Sequence, residues 1–184
     1  DHEGHEDHED HGENIDMHFW LSSENVKSFA TALSKKLILS FPKHQNKIQS
    51  NLNALILEIT VLDDAFKEKV QSKDQPAFMV FHDGFHYLSD QYQLNEVAAI
   101  VSDPSQSTGI KTLLELKALI IDSSVKCIFV EPGFNQGLVD TLIESVLEES
   151  NNKVKVLTWD VLGNNSQNYP ELLGGIYDEY ALCD

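Results

Sequence analysis

The stretch AFMVFHD, residues 77–83, decides the fold of this chain. Its first five residues are apolar and include the strand-favouring Phe78 and Val80, and polar His82 and Asp83 follow directly. A short apolar run of this kind is typical of a strand that is buried on both faces. We therefore predict a strand over Ala77–Phe81, with His82 at its polar end.

Three further apolar runs predict strands, at Glu96–Val101, Cys127–Val130 and Val154–Trp159. Helical patterns lie between and after them, at about 84–92, 109–121, 136–149 and 169–182. This alternation predicts an α/β fold, in which helices flank both faces of a four-stranded parallel sheet.

Polar side chains follow each predicted strand. They are His82 and Asp83, then Ser102, Asp103 and Pro104, then Glu131, and finally Asp160. Because the carboxyl ends of parallel strands meet at one edge of the sheet, ligands usually bind there. The sequence therefore predicts that the functional residues gather at this edge.

Zinc takes imidazole, thiolate or carboxylate ligands from separate elements, and by position the candidates are His18, His82 and Asp160. Each has a plainer interpretation: His18 as a loop residue, His82 as a helix cap, and Asp160 as the cap of the turn VLGNN. Glu131 is either a general base or a buried carboxylate held by backbone amides. His86 forms an HxxxH pair with His82, but Gly84 between them favours a partly exposed surface residue.

Two helices are predicted upstream of the first strand. Ser22 or Ser23 caps the first helix, which Pro42 ends. The second helix runs from about His44 to Val70, and at 1.5 Å per residue it spans about 40 Å. That length exceeds what a small domain needs internally, so we expect a strut between two lobes.

The first 16 residues, DHEGHEDHEDHGENID, hold eight carboxylates and four histidines, at His2, His5, His8 and His11. We expect a flexible loop, because the tract contains too few apolar residues to build a core. Imidazoles set among carboxylates also form a ligand set for divalent metal ions. The alternatives are a solvated linker and an expression tag.

Composition excludes several classes of function. The chain has 13 lysines, no arginine and 30 acidic residues, so its net charge is −17, the wrong sign for binding nucleic acid or anionic lipid. No apolar run approaches the roughly 20 residues of a membrane helix, and the first residues do not resemble a signal peptide. HExxH, GxSxG, CxxC and glycine-rich phosphate-loop motifs are absent from the sequence.

The two cysteines, Cys127 and Cys183, are either buried thiols or a disulfide. A disulfide would close a loop of about 56 residues and contribute about 4 kcal/mol on a loop-entropy estimate. It would also indicate an oxidising compartment.

Six segments, in order, resemble the zinc-receptor component of bacterial ABC zinc importers, the ZnuA type. They are DMHFWLSSEN at 16–25, NLNAL at 51–55, VFHDGFHYLSDQYQL at 80–94, CIFVEPGF at 127–134, LTWDVLG at 157–163 and YALCD at 180–184. The resemblance covers nearly the whole chain and implies one lobe of a two-lobed metal-receptor fold.

This resemblance implies specific roles for individual residues. The family's DxHxWLS segment supplies a histidine ligand, which falls on His18, and its FHDAYGYF segment supplies another, which falls on His82. The turn aspartate of the family's LDPLG segment falls on Asp160, and the family's disulfide falls on Cys127 and Cys183. The chain departs from the family at His86, where glycine is usual, and at Val161, where proline is usual; neither change removes a metal ligand.

The resemblance also implies the organisation of the chain. Residues 1–16 are expected to be a metal-rich loop, 17–43 the end of an amino-terminal lobe, 44–72 the linking helix and 73–184 the carboxyl-terminal α/β lobe. The family's first histidine ligand lies upstream of this loop. We therefore expect the carboxyl-terminal part of a longer protein, whose signal peptide and first lobe precede this sequence.

The expected function is high-affinity capture of Zn²⁺ in the periplasm and its delivery to an ABC-type permease, without catalysis and by a monomeric protein. His2, His5, His8 and His11 would then form weaker, exchangeable sites. Two alternatives remain open: a zinc-dependent hydrolase that uses Glu131 or Asp83 as base, and a metal-binding surface adhesin or zinc buffer in which the acidic loop alone matters.

Overall fold

A computed structural model describes residues 16–71, 74–102, 108–134, 136–150 and 152–183. In these ranges four parallel strands form one sheet in the order β2-β1-β3-β4. Their bounds are β1 Phe78–His82, β2 Glu96–Val101, β3 Cys127–Val130 and β4 Lys155–Thr158. The predicted α/β fold with a four-stranded parallel sheet is therefore confirmed.

Six α-helices surround this sheet within the described ranges. They are α1 Ser23–Ser40, α2 Gln45–Gln71, α3 His86–Tyr92, α4 Ile110–Asp122, α5 Gln136–Ser150 and α6 Tyr169–Tyr180, with short 3₁₀ turns at Phe19–Leu21, Pro42–His44 and Ala181–Cys183. Ser22 caps α1, because its side chain accepts a hydrogen bond from the backbone N–H of Asn25. Pro42 begins the turn between α1 and α2, as predicted.

Alternate residues of the central strands face opposite sides of the sheet. On one side Phe78 and Phe129 pack with Trp159 in a core that α2, α3 and α6 cover. On the other side Met79 and Ile128 pack in a second core under α4 and α5. Burial on both faces explains why these strands read as continuous apolar runs.

Two predicted boundaries differ from the structure in ways that matter for function. His82 is the last residue of β1 and not the residue after it, so its backbone is held in the sheet. The helix predicted from residue 84 begins at His86. His82 and His86 therefore do not share a helix face, and the HxxxH pair is not a common ligand pair.

A disulfide joins Cys127, the first residue of β3, to Cys183, and their Cα atoms are 5.6 Å apart. Both cysteines are fully buried. The bond ties the turn after α6 to the amino-terminal end of the sheet, opposite His82. The pairing implied by the family resemblance is thus present.

The described α-helices are between 7 and 27 residues long. None of them combines enough residues with enough apolar character to cross a bilayer.

Candidate metal centre

His82 lies at the carboxyl end of β1, beside the end of the neighbouring strand β3. It is only 9% exposed, and its ring packs against the rings of Phe85 and Phe134, with centroids 5.7 and 5.6 Å away. Glu131, the first residue after β3, is 6% exposed, and its carboxylate contacts Nδ1 of His82. The adjacency of two parallel strands thus pairs a buried imidazole with a buried carboxylate.

His18 precedes the 3₁₀ turn that leads into α1, and a carboxylate also holds its ring. Asp16 Oδ1 lies 2.6 Å from Nδ1 of His18 and accepts the backbone N–H of the same residue at 2.9 Å. The Trp20 ring flanks the imidazole, with a centroid separation of 5.4 Å. Tyr87 anchors the segment by donating a hydrogen bond to the carbonyl of Asp16 at 3.2 Å.

The two imidazoles meet with their Nε2 atoms 3.4 Å apart. A carboxylate oxygen beside Nδ1 of each histidine favours the ring proton on that nitrogen and leaves Nε2 available to a metal ion. The Nε2 atoms of His18 and His82 face each other. Two imidazole ligands at 2.0–2.1 Å from a tetrahedral Zn²⁺ have their nitrogens about 3.3 Å apart, so the observed spacing matches two positions of such a site.

Gly84 provides the room in which these rings meet. A Cβ atom on this residue would lie 2.6 Å from Nε2 of His82 and 2.9 Å from Cε1 of His18. Neither ring could then keep its present position. The close approach of the two rings therefore depends on glycine at position 84.

A cavity of about 150 Å³ opens beside the two imidazoles. Its lining residues are His18, His82, Glu131, Pro132, Phe134, Asp160, Val161, Leu162 and Asn164. All three candidate ligands predicted from the sequence, His18, His82 and Asp160, therefore border one space.

The Asp160 carboxylate is engaged within its own turn. It accepts the backbone N–H groups of Asn164 and Asn165 at 3.0 and 2.9 Å, and their side-chain amides at 2.8 and 3.3 Å. Burial acts to raise the pKa of Asp160, but these four hydrogen bonds outweigh it and lower the pKa. The turn-capping interpretation therefore describes its present contacts, and its role as a metal ligand stays a prediction.

The described residues contain no group of three His, Cys, Asp or Glu side chains arranged to enclose a metal ion. His86 is 60% exposed and pairs with Asp83 at 2.6 Å, as expected for a surface residue. The tract histidines His2, His5, His8 and His11 lie outside the described residues. What the structure brings together is thus a pair of imidazoles beside a cavity.

The carboxylate partners of the histidines are the features that sequence reasoning missed. Asp16 stands two residues before His18, and this short spacing was a usable signal for their contact. The sequence offers Glu131 as a base or as a carboxylate bound to backbone amides, whereas in the structure it contacts His82. That contact depends on β1 and β3 being neighbours, which the linear sequence does not state.

Comparison with known proteins places the chain beside zinc-uptake components. A family model described as ZnuA, zinc-uptake complex component A, periplasmic, matches residues 1–181. The high-affinity zinc uptake system protein ZnuA of Haemophilus ducreyi is 29% identical over 172 residues, which are 91% of this chain and 54% of that protein. ZnuA of Brucella abortus is 30% identical over 173 residues, 91% and 50% of the two chains. The chain spans about half the length of the curated relatives it matches.

Solved structures share the fold. A Zn(II)-bound mutant variant of AdcAII from Streptococcus pneumoniae is 25% identical with a TM-score of 0.72, over 90% of this chain and 58% of that one. A ZnuA crystal structure gives 24% and 0.74, over 91% and 60%. The laminin-binding protein Lmb of Streptococcus agalactiae, described as an adhesin with metal-transporting activity, gives 22% and 0.80, over 92% and 65%. At the last two identities the likeness concerns the fold alone.

Proposed function

Because the chain belongs to the ZnuA family of periplasmic zinc-uptake components, we propose that it captures Zn²⁺ between His18 and His82 for delivery to an ABC permease of the inner membrane. The ion is cargo, and its capture involves no chemical conversion. The relevant compartment is the periplasm, where a disulfide such as Cys127–Cys183 persists.

One observation carries this proposal: the Nε2 atoms of His18 and His82 face each other at 3.4 Å. Two lone pairs at this distance repel unless a cation or a proton lies between them. A zinc ion there would gain two neutral imidazole ligands, while Asp16 and Glu131 hold the rings by their Nδ1 atoms. Carboxylate partners of this kind orient ligand histidines and increase their basicity.

The remaining ligand positions are assigned by the same proposal. Asp160 borders the cavity and supplies a carboxylate if its turn releases one oxygen, and water or a residue of a further lobe supplies the rest. A site rich in imidazole suits zinc, whereas a site dominated by carboxylates would suit manganese.

The histidines His2, His5, His8 and His11 would collect zinc more weakly, because a flexible tract loses conformational entropy on binding.

The domain organisation is also part of the proposal. Residues 17–43 would end a first lobe, 44–72 would link the lobes and 73–184 would form the second lobe. Large apolar side chains on α1 and the following turn are exposed to between 37% and 78%: Phe29, Leu33, Leu37, Leu39 and Phe41. An apolar surface of this kind supports packing against a further lobe.

The alternative of a zinc-dependent hydrolase gains no support from the geometry. Glu131 contacts His82 and Asp83 pairs with His86, so each base considered is already engaged with a histidine. The family of the chain is described as an uptake component. We therefore propose a receptor and not an enzyme.

Calorimetric zinc titration tests the proposal. The full chain is compared with a tract variant, in which His2, His5, His8 and His11 are all changed to Asn. We expect the tract variant to keep one tight site. In that background, His18→Ala and His82→Ala each remove a ligand and should weaken this site at least about 100-fold, more than the 10–100-fold typical for loss of a ligand's carboxylate partner.

His44→Ala is the matched control, because His44 is an exposed histidine in the turn between α1 and α2, outside the cavity lining. It should bind zinc like its parent. Loss of nearly all binding in the tract variant would make the tract the functional site. Unchanged zinc affinity in both His18→Ala and His82→Ala would refute the assignment of these residues as ligands.

A further inference from the structure

Asp63 of α2 is a buried carboxylate that the proposed function does not use. Only 1% of the residue is exposed, and α1, α3 and α6 all send donors to it. Ser23 and Lys27 of α1 donate to Oδ2 at 2.7 and 3.0 Å. Tyr92 of α3 and Tyr177 of α6 donate to Oδ1 at 2.6 and 2.9 Å.

We propose that Asp63 is a positioning residue for zinc capture, which acts by holding the start of α1, and with it His18, at the correct distance from His82. The inference rests on the proposed function and names a residue outside the cavity lining. Asp63 itself has no contact with the ion in this proposal.

The route from Asp63 to His18 is short. Ser23, the first residue of α1, is hydrogen bonded to Asp63 and lies five positions after His18. The segment between them is the 3₁₀ turn Phe19–Leu21, whose backbone hydrogen bond from Leu21 to His18 measures 3.0 Å. Leu21 is fully buried. A shift at Ser23 therefore passes directly to the imidazole of His18.

The route from Asp63 to His82 runs through α3. This helix begins at His86, four residues after His82, and ends at Tyr92, which donates to Asp63. The preceding residue, Gln91, accepts a hydrogen bond from Ser22 and donates one to Ser23, both at 2.6 Å. The start of α1 and the end of α3 are thus held to each other and to Asp63.

A stability role alone accounts poorly for this arrangement. A buried carboxylate loses hydration, and a well-packed apolar group of similar volume is often as stabilising as a buried ion pair. What the charged hydrogen-bonded group adds is a defined geometry between four helices. Burial acts to raise the pKa of Asp63, but hydrogen bonds from Tyr92, Ser23, Lys27 and Tyr177 lower it overall, which keeps the group ionised.

The test is a double-mutant cycle on the full chain in the tract-variant background, with zinc affinity as the readout. Asp63→Asn keeps the size of the side chain and removes its charge. We expect it to weaken zinc binding about tenfold, the lower end for outer residues of a metal site. In a His18→Ala background the same change should have no further effect, because there is then no pair of imidazoles for Asp63 to hold at the correct distance.

A general structural role predicts a different result. If Asp63→Asn weakened zinc binding equally with and without His18, the loss would come from overall destabilisation, and the inference would be wrong. Tyr180→Phe is the control, because it removes another hydrogen bond, to Gln75 before β1, at the amino-terminal end of the sheet and away from the cavity at the carboxyl end. It should leave zinc affinity unchanged in both backgrounds.

Two further outcomes keep the inference separate from the proposed function. If His18→Ala and His82→Ala reduce affinity but Asp63→Asn does not, only the role of Asp63 is refuted. If Asp63→Asn fails to fold by circular dichroism, Ser23→Ala replaces it in the cycle under the same criterion; this change removes one of the four donors to Asp63 and the acceptor for Gln91. A change in affinity for Ser23→Ala that persists without His18 would then overturn the inference.

Discussion

At the level of single residues, each of the two paired imidazoles has a carboxylate next to its Nδ1 atom. Asp16 serves His18 and Glu131 serves His82, although they come from different parts of the chain. A carboxylate there fixes the ring proton, orients the ring and leaves Nε2 as the donor atom for a metal. The electrostatics of the pair therefore depend on residues that need not touch the ion.

Changing Glu131→Gln tests this dependence. Glutamine has almost the same size, and its carbonyl oxygen still accepts the Nδ1 proton, so the variant removes mainly the negative charge. We expect zinc affinity in the tract-variant background to fall about 10–100-fold, the usual effect of losing such a partner. Calorimetry measures the loss.

The same change at Glu148, an exposed glutamate of α5, provides the control and should leave zinc affinity unchanged. A Glu131→Gln protein that folds normally and binds zinc like its parent would show that the carboxylate does not support the site.

The candidate ligands could be named from the sequence, but their partners could not. His82 and His18 are both candidates by position, and the resemblance of DMHFWLS to a family motif strengthens the prediction for His18. The contact between His82 and Glu131 requires β1 and β3 to be adjacent, although β2 lies between them in the chain. Strand order is set by how helices pack on the sheet, and local sequence patterns do not contain this information.

At the level of elements, the parallel strands were the most predictable part of the fold. β2 and β3 begin and end where predicted, and β4 is one residue shorter at each end. Burial on both faces makes such strands continuous apolar runs with polar ends, which is a strong local signal. The polar cluster around Asp63 was not predicted, since four helices must meet before its donors come together.

The disulfide between β3 and the end of the chain yields a prediction about stability. Replacing both cysteines by serine opens a loop of 56 residues, and the loop-entropy estimate gives a loss of about 4 kcal/mol in the free energy of unfolding. Urea unfolding measures it. Zinc affinity should change little, because Cys127 starts β3 whereas the metal centre lies beyond its other end.

The parent protein, reduced in denaturant and refolded under reducing conditions, is the matched comparison. It should unfold at the same urea concentration as the double serine variant. A loss below about 1 kcal/mol would mean that the unfolded chain is not restrained by the bond as the estimate assumes.

At the level of the whole molecule, the negative charge is unevenly distributed along the chain, and the chain matches only part of its relatives' length. Residues 1–16 hold eight of the 30 carboxylates, and the rest of the chain carries 22 against 13 lysines, a net −9. The matched relatives are about twice as long as the aligned part. A strongly negative protein attracts divalent cations over its whole surface.

Helix α2 is the longest of the described helices, and its burial is confined to one end. Its 27 residues extend about 40 Å, yet its buried positions, Ile59, Asp63, Phe66 and Val70, all lie in the second half. They recur at intervals of three and four and form one stripe against the sheet. The first half contacts chiefly α1, whose own outer face is exposed.

This asymmetry predicts two classes of backbone amide in one continuous helix. In hydrogen exchange followed by mass spectrometry, peptides from 59–71 should exchange only with global unfolding, whereas peptides from 45–56 should exchange at least about tenfold faster through local fraying. Uniform protection along α2 would contradict this. The second half of the helix is thus held by the core, whereas its first half is held chiefly by α1, so any bending of the helix would pivot about its buried end.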